Sequence, residues 1–161
     1  MPASTRVVFD ARAMAAQACA AAAKGHDAPS PLPFVAVNVS TMQIDDPTFP
    51  ATVARILAES GLEPHRLEIE ITESVIMRDP ELAIRRLEAL RRLGIMIAID
   101  DFGTGYSSLG MLSRLPVSRL KIDRSLVAGF GESRNTSGIV SMIVDLCRHL
   151  GLEVTAEGVE T

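Results

Sequence analysis

The sequence predicts an α/β fold, an incomplete (β/α)8 barrel of the TIM type with about five βα units. Three observations predict it. Five short apolar runs alternate with helix-patterned segments, which argues for a parallel sheet crossed over by helices. A barrel of ~250 residues spends roughly 31 residues on each unit, so a chain of 161 residues holds about five. Each apolar run also ends on a polar or charged residue, at the rim where such folds place chemistry.

Taken in order, residues from about Ser4 to Lys24 read as an alanine-rich helix ending near Gly25. Its stretch Ala13–Ala23 is interrupted by Gln17, lacks leucine and precedes no clear cleavage site, so it reads as a helix and not as a signal peptide. Ala28-Pro-Ser-Pro-Leu-Pro33 is a loop, because its prolines block helix and pairing alike. Phe34–Ser40 is a short continuous apolar run, suited to a strand buried on both faces. Asp46-Pro47 reads as cap and first position of a helix running to about Ser60, stopped by Gly61. Arg66–Thr72 is the second strand.

Asp79-Pro80-Glu81 opens a helix to about Leu93, closed by Gly94; Arg85, Arg86, Arg91 and Arg92 form its solvated face. Ile95–Ile99 is the third strand, and it runs straight into Asp100, Asp101 and a glycine loop. Ser107–Arg114 is a short helix with serine caps. Arg119–Asp123 is the fourth strand. After a turn near Gly129 and Gly131, Thr136–Leu150 is an apolar helix closed by Gly151, and Glu153–Glu157 is the fifth strand. Residues 1–161 read as a single domain, a partial one by barrel standards.

The net charge is −4, with no basic block and no interleaving of aromatic and basic residues, which argues against a nucleic-acid polymer as partner. No apolar run approaches the ~18 residues of a membrane span. Cys19 and Cys147 stand alone in helical contexts, so they read as reduced packing residues of a cytoplasmic protein. His26, His65 and His149 are scattered, and no Walker loop or Gly-x-Ser-x-Gly setting occurs.

The rim residues carry the chemistry. The strands deliver Asn38, then Glu70 with Glu73 just beyond, then Asp100 and Asp101, then Lys121 and Asp123, and finally Glu157. Each alone has a bland reading: an Asx turn, a strand-edge acid, a helix cap, a solvated loop residue. Adjacent carboxylates at the mouth of a core are costly unless a cation lies between them. Amide and carboxylate oxygens suit Mg²⁺ or Mn²⁺ and not zinc. Two chemistries fit such a set. One is metal-assisted hydrolysis of a phosphate ester on two cations, with Glu157 accepting a proton. The other is proton abstraction beside a carboxylate, with Lys121 as base.

Five segments choose between them. Val37-Asn-Val-Ser40, Glu70-Ile-Thr-Glu-Ser74, Asp100-Asp-Phe-Gly-Thr-Gly-Tyr-Ser-Ser-Leu109, Lys121-Ile-Asp-Arg-Ser125 and Ala156-Glu-Gly-Val-Glu160 resemble, in order and spacing, the EAL-domain family of bacterial cyclic di-GMP phosphodiesterases. The resemblance runs from about residue 7 to the end of the chain. It implies a modified (β/α)8 barrel that linearises cyclic di-GMP to pGpG with two Mg²⁺ or Mn²⁺ ions, in second-messenger signalling. It further implies that Asn38, Glu70 and Asp100 bind the first ion and Asp100 and Asp101 the second. Asp123 would lie beside the second ion. Lys121 would contact the attacking water, and Glu157 would be the general base. Glu73 would anchor the loop Phe102–Ser108, which in this family helps organise metal binding and dimerisation; a homodimer or larger assembly is expected, with room for fused sensory domains outside this chain.

Measured against the family, the expected departures lie at the two ends. The Glu-Ala-Leu strand, its metal-binding glutamate and a nearby substrate-holding arginine belong upstream of the alanine-rich helix, and the last two barrel strands with a Gln-Gly motif belong beyond Thr161. The chain then corresponds to about two-thirds of the barrel. The matching expectation is that it hydrolyses cyclic di-GMP weakly or not at all by itself. The alternative is a non-catalytic EAL-like receptor for cyclic di-GMP, or a protein-interaction module.

Overall fold

The computed structural model describes residues 34–103 and 109–158. The predicted helix over 4–24, the proline loop, Cys19, His26 and the serines 107 and 108 lie outside them.

The core is a five-stranded, all-parallel sheet whose strand order follows the sequence. The strands are β1 (Val35–Asn38), β2 (Leu67–Thr72), β3 (Met96–Phe102), β4 (Arg119–Ile122) and β5 (Glu153–Ala156). Between them run α1 (Thr41–Asp45), α2 (Phe49–Ser60), α3 (Glu73–Arg78), α4 (Pro80–Arg92), α5 (Leu109–Leu112), α6 (Arg124–Ala128) and α7 (Arg134–Leu150). This is the predicted alternation, and the fold is a partial TIM-type barrel. No helix among the described residues is long and apolar enough to cross a membrane.

Alternation along the strands gives the sheet two unlike faces. Ile69, Ile71, Ile97, Ile99, Leu120 and Ile122 occupy one face. They pack in a single apolar cluster with Ile56, Leu87, Leu90, Ile143 and Cys147 from the helices. The other face, called inner here, carries Asn38, Glu68, Glu70, Ala98, Asp100, Arg119 and Lys121.

The structure corrects several boundaries. α2 begins at Phe49 and not at Pro47, with Thr48 as its cap. Asp46 instead closes a turn, its carboxylate accepting from the Thr48 N–H at 2.8 Å. A short helix, α1, precedes it, its start tied by the Ser40 N–H donating to Gln43 Oε1 at 2.9 Å. The fourth strand is followed by a helical turn, α6, because Asp123 accepts from the Ser125 N–H and caps it. α5 ends at Leu112, two residues before the predicted end at Arg114. α7 starts at Arg134, two residues early, with Ser133 as cap. Gly61, Gly94 and Gly151 end their helices in left-handed backbone, as predicted. α3 was not foreseen, because Glu73–Arg78 is too short to show a helical period.

Candidate active site

The site sits at the C-terminal ends of the strands and has a lysine at its centre. Lys121 Nζ lies 2.8 Å from Glu70 Oε1, 2.9 Å from Asp100 Oδ1 and 2.8 Å from Glu157 Oε1. These partners arrive from β2, β3 and the residue after β5, so one ammonium ties together both neighbours of β4 and a strand beyond. Reaching Glu70 means spanning β3. The register makes that possible, since Ala98 is the β3 residue that pairs with both Glu70 and Arg119. A small side chain there leaves room for long ones from either side.

Burial works against the charge on Lys121, which is 9 % exposed. The hydrogen bonds to Glu157, Glu70 and Asp100 outweigh it and hold the ammonium pKa well above the ordinary lysine value. Three carboxylates around the ammonium favour its charged form, which suits Lys121 to hold charge and not to accept a proton.

The two aspartates reach one site through a backbone irregularity. Ile99 pairs with Leu120 and Phe102 with Ile122, so β3 spends one more residue than β4 over that interval. Asp101 absorbs the excess with φ 53°, in the left-handed region. In a regular strand Asp100 and Asp101 would point to opposite faces. With the bulge, carboxylate oxygens of Asp100, Asp101 and Glu157 lie within 4.8 Å of one another. Such a backbone conformation is uncommon for a residue with a side chain, and this kind of local strain concentrates at functional sites.

Carboxylates so close together, Asp100 buried and Asp101 and Glu157 half-buried, call for cations, and their oxygens have the chemistry of a Mg²⁺ or Mn²⁺ site. The residues fit such ions. Lys121 already supplies one positive charge in their midst. Asn38 pairs in register with Glu70 and is half-buried at the same rim.

Two further predicted residues lie outside the Lys121 cluster. Glu73 is 3 % exposed at the start of α3, and its Oε2 accepts from the Gly103 N–H at 3.4 Å. Its Oε1 has no hydrogen-bond partner among the described residues. Gly103 is tightly constrained there: at φ 101° a Cβ would come within 2.3 Å of Leu126 Cδ1. Asp123 serves as the cap of α6. Hydrogen bonds from the Ser125 hydroxyl and N–H hold its carboxyl below the ordinary range.

Sequence reasoning missed one layer. Arg119 and Glu68 lie on the inner face, two residues before Lys121 and Glu70. Arg119 Nη1 donates to Glu68 Oε1 and Oε2 at 3.0 and 2.7 Å. Burial pushes the Glu68 carboxyl up, and Arg119 pulls it back. The repeats Glu68-x-Glu70 and Arg119-x-Lys121 were the available signal, since alternate charges on a strand share a face.

These features define a class: a partial βα barrel with a lysine-centred carboxylate cluster at its strand ends. The EAL domain profile matches residues 8–161, and the chain belongs to the EAL family, whose members include cyclic di-GMP phosphodiesterases of bacterial signalling. It is 46 % identical over 127 residues to the bifunctional diguanylate cyclase/cyclic di-GMP phosphodiesterase MucR of Pseudomonas aeruginosa. That match covers 79 % of this chain and 18 % of the relative. It is 42 % identical over 127 residues to the cyclic di-GMP phosphodiesterase NbdA of the same organism, covering 79 % and 16 %. The chain thus spans about a sixth of the length of these relatives.

Among solved structures, the c-di-GMP complex of the MucR phosphodiesterase superposes with a TM-score of 0.87 at 41 % identity, over 93 % of this chain and 61 % of that one. The manganese and cyclic di-GMP complex of Klebsiella pneumoniae BlrP1 gives 0.82 at 33 % identity, over 93 % and 38 %.

Proposed function

We propose that this chain carries the catalytic face of a cyclic di-GMP phosphodiesterase, which hydrolyses the cyclic dinucleotide to linear pGpG, with residues 1–161 forming one partial EAL domain whose turnover by itself is weak. The observation that carries the reading is the grip of Lys121 on Glu70, Asp100 and Glu157 above the bulged Asp100–Asp101 pair. Support comes also from relatives named as phosphodiesterases and from a related structure holding manganese and the dinucleotide.

In this reading Asn38, Glu70 and Asp100 would hold one divalent cation, and Asp100 and Asp101, together with Asp123, would serve a second. Two such ions, when bound, neutralise phosphate charge and make water a better nucleophile. The chain's own residues do the rest. Lys121 donates to the attacking water and keeps the Glu157 carboxylate facing it. Glu157, about a fifth exposed, accepts the proton as the new P–O bond forms. One ester P–O bond breaks, and its oxygen leaves as a hydroxyl after taking a proton from solvent. Glu73, through the Gly103 N–H, fixes the start of the loop that follows β3.

The test is hydrolysis of cyclic di-GMP by the purified chain in Mg²⁺ or Mn²⁺, against Glu157→Ala. Loss of a general base costs about 10²–10⁴-fold in rate. Linear product from the parent chain that falls by that factor in the variant supports the reading. Cyclic di-GMP binding that is the same in chelator as in Mg²⁺ or Mn²⁺, with no turnover in either protein, overturns it in favour of a receptor.

A further inference from the structure

A second charged layer lies one pleat below the site on the inner face, and the proposed chemistry does not use it. Glu68 on β2 is two residues before Glu70, and Arg119 on β4 is two residues before Lys121. The guanidinium of Arg119 grips Glu68 through Nη1, and through Nε and Nη2 it donates to Glu153 Oε2 on β5. Its central carbon lies 5.1 Å from the centre of the Phe34 ring. The side chain of Glu68 is 3 % exposed, whereas that of Glu153 is 62 % exposed. Glu153 can be served by water, but Glu68 cannot.

The cations that act on Glu68 are Arg119, in direct contact, and Lys121, one pleat above. A buried carboxylate that loses its partner recruits whatever positive charge is in reach. Lys121 is flexible enough to turn downward, and its three present partners would then lose it.

We propose that Arg119 is a positioning residue: by holding Glu68 it leaves Lys121 to Glu70, Asp100 and Glu157. The two layers are separate charge-balanced units only while Arg119 is present. Glu153 contributes little, because its exposed carboxylate is already solvated. The proposal rests on the reading of Lys121 as a working group of the site, so its test reads Lys121 itself and does not depend on turnover.

The chain has two lysines, Lys24 and Lys121. In protein labelled with ¹³C at lysine Cε, the two signals are assigned with Lys24→Arg. Arg119→Leu is expected to shift the Lys121 signal and to tighten Mn²⁺ binding by about tenfold or more, because the carboxylates that lose the ammonium are left to the metal ion. Adding Glu68→Leu to Arg119→Leu removes the competing carboxylate, and is expected to return the signal and the Mn²⁺ affinity toward the parent values. Glu153→Gln is expected to move neither. A general loss of packing would not be reversed by deleting a second charge.

Should Arg119→Leu fail to fold, judged by circular dichroism, Arg119→Gln serves in its place with the same expected shift. A Lys121 signal that stays put in a folded Arg119 variant overturns the proposal, as does one that shifts and is not restored by Glu68→Leu. Absence of Mn²⁺ binding by the parent chain, with the lysine shifts as expected, overturns the metal reading of the site and leaves the positioning role standing.

Discussion

The two faces of the sheet are made from alternate residues of the same strands, yet they are held together by different physics. On the helix-covered face Ile69, Ile71, Ile97, Ile99, Leu120 and Ile122 are at most 2 % exposed, and each makes its contribution through local contacts. On the inner face Glu68, Glu70, Asp100 and Lys121 are buried almost as deeply, but none is tolerable alone. Apolar burial is non-directional and roughly additive. A buried charge network stands or falls as a unit.

The largest effect is therefore expected at the centre of the network. Lys121→Met keeps the stem of the side chain and deletes the charge, leaving Glu70, Asp100 and Glu157 facing one another. Breaking a buried pair by removing one partner costs about 3–5 kcal/mol. Urea unfolding in a chelator should show a loss on that scale, and Mn²⁺ should recover much of it by supplying the missing positive charge. A variant as stable as the parent in chelator would make the inner face an ordinary surface and end the contrast.

The apolar face should answer locally. Leu90 on α4 is 0 % exposed within the apolar cluster. Leu90→Ala removes transfer energy and leaves a cavity, at a cost of about 2–5 kcal/mol. Unlike the loss at Lys121, this one should be indifferent to Mn²⁺. Cavity formation beneath an isoleucine layer changes no charge, so a strong Mn²⁺ dependence here would mean that the two faces are coupled through the sheet.

The same contrast governs what could be read in advance. Apolar runs bounded by Gly61, Gly94, Gly151 and the Asp79-Pro80 pair gave the strands and helix ends directly, because each signal is local. The rim residues Glu70, Asp100, Lys121 and Glu157 were legible one strand at a time, and the structure does bring them together. How they meet was not legible. Asp100 and Asp101 share a site only through the extra β3 residue, which no local propensity announces. Arg119 and Glu68 are 51 residues apart and meet across Ala98, so their pairing needs the register of two ladders at once. Asp46 misled because an Asp-Pro pair serves a turn as well as a helix start, and Thr48 took the cap.

The smallest expected effect tests additivity on the covered side. Asp79 caps α4, its Oδ1 accepting from the Leu82 N–H at 3.0 Å. Asp79→Ala leaves that N–H to solvent and should cost about 1 kcal/mol. Asp79 and Leu90 stand at opposite ends of α4 and share no partner, so the double variant should lose the sum of the two single losses to within about 0.5 kcal/mol. Combining Lys121→Met with Glu157→Gln should behave otherwise. Deleting one carboxylate relieves part of the repulsion that the missing ammonium left behind, and the double variant should be more stable than the two single losses would give. Additivity on α4 together with non-additivity around Lys121 is what a packed face and a networked face require; additivity in both would reduce the inner cluster to independent surface charges.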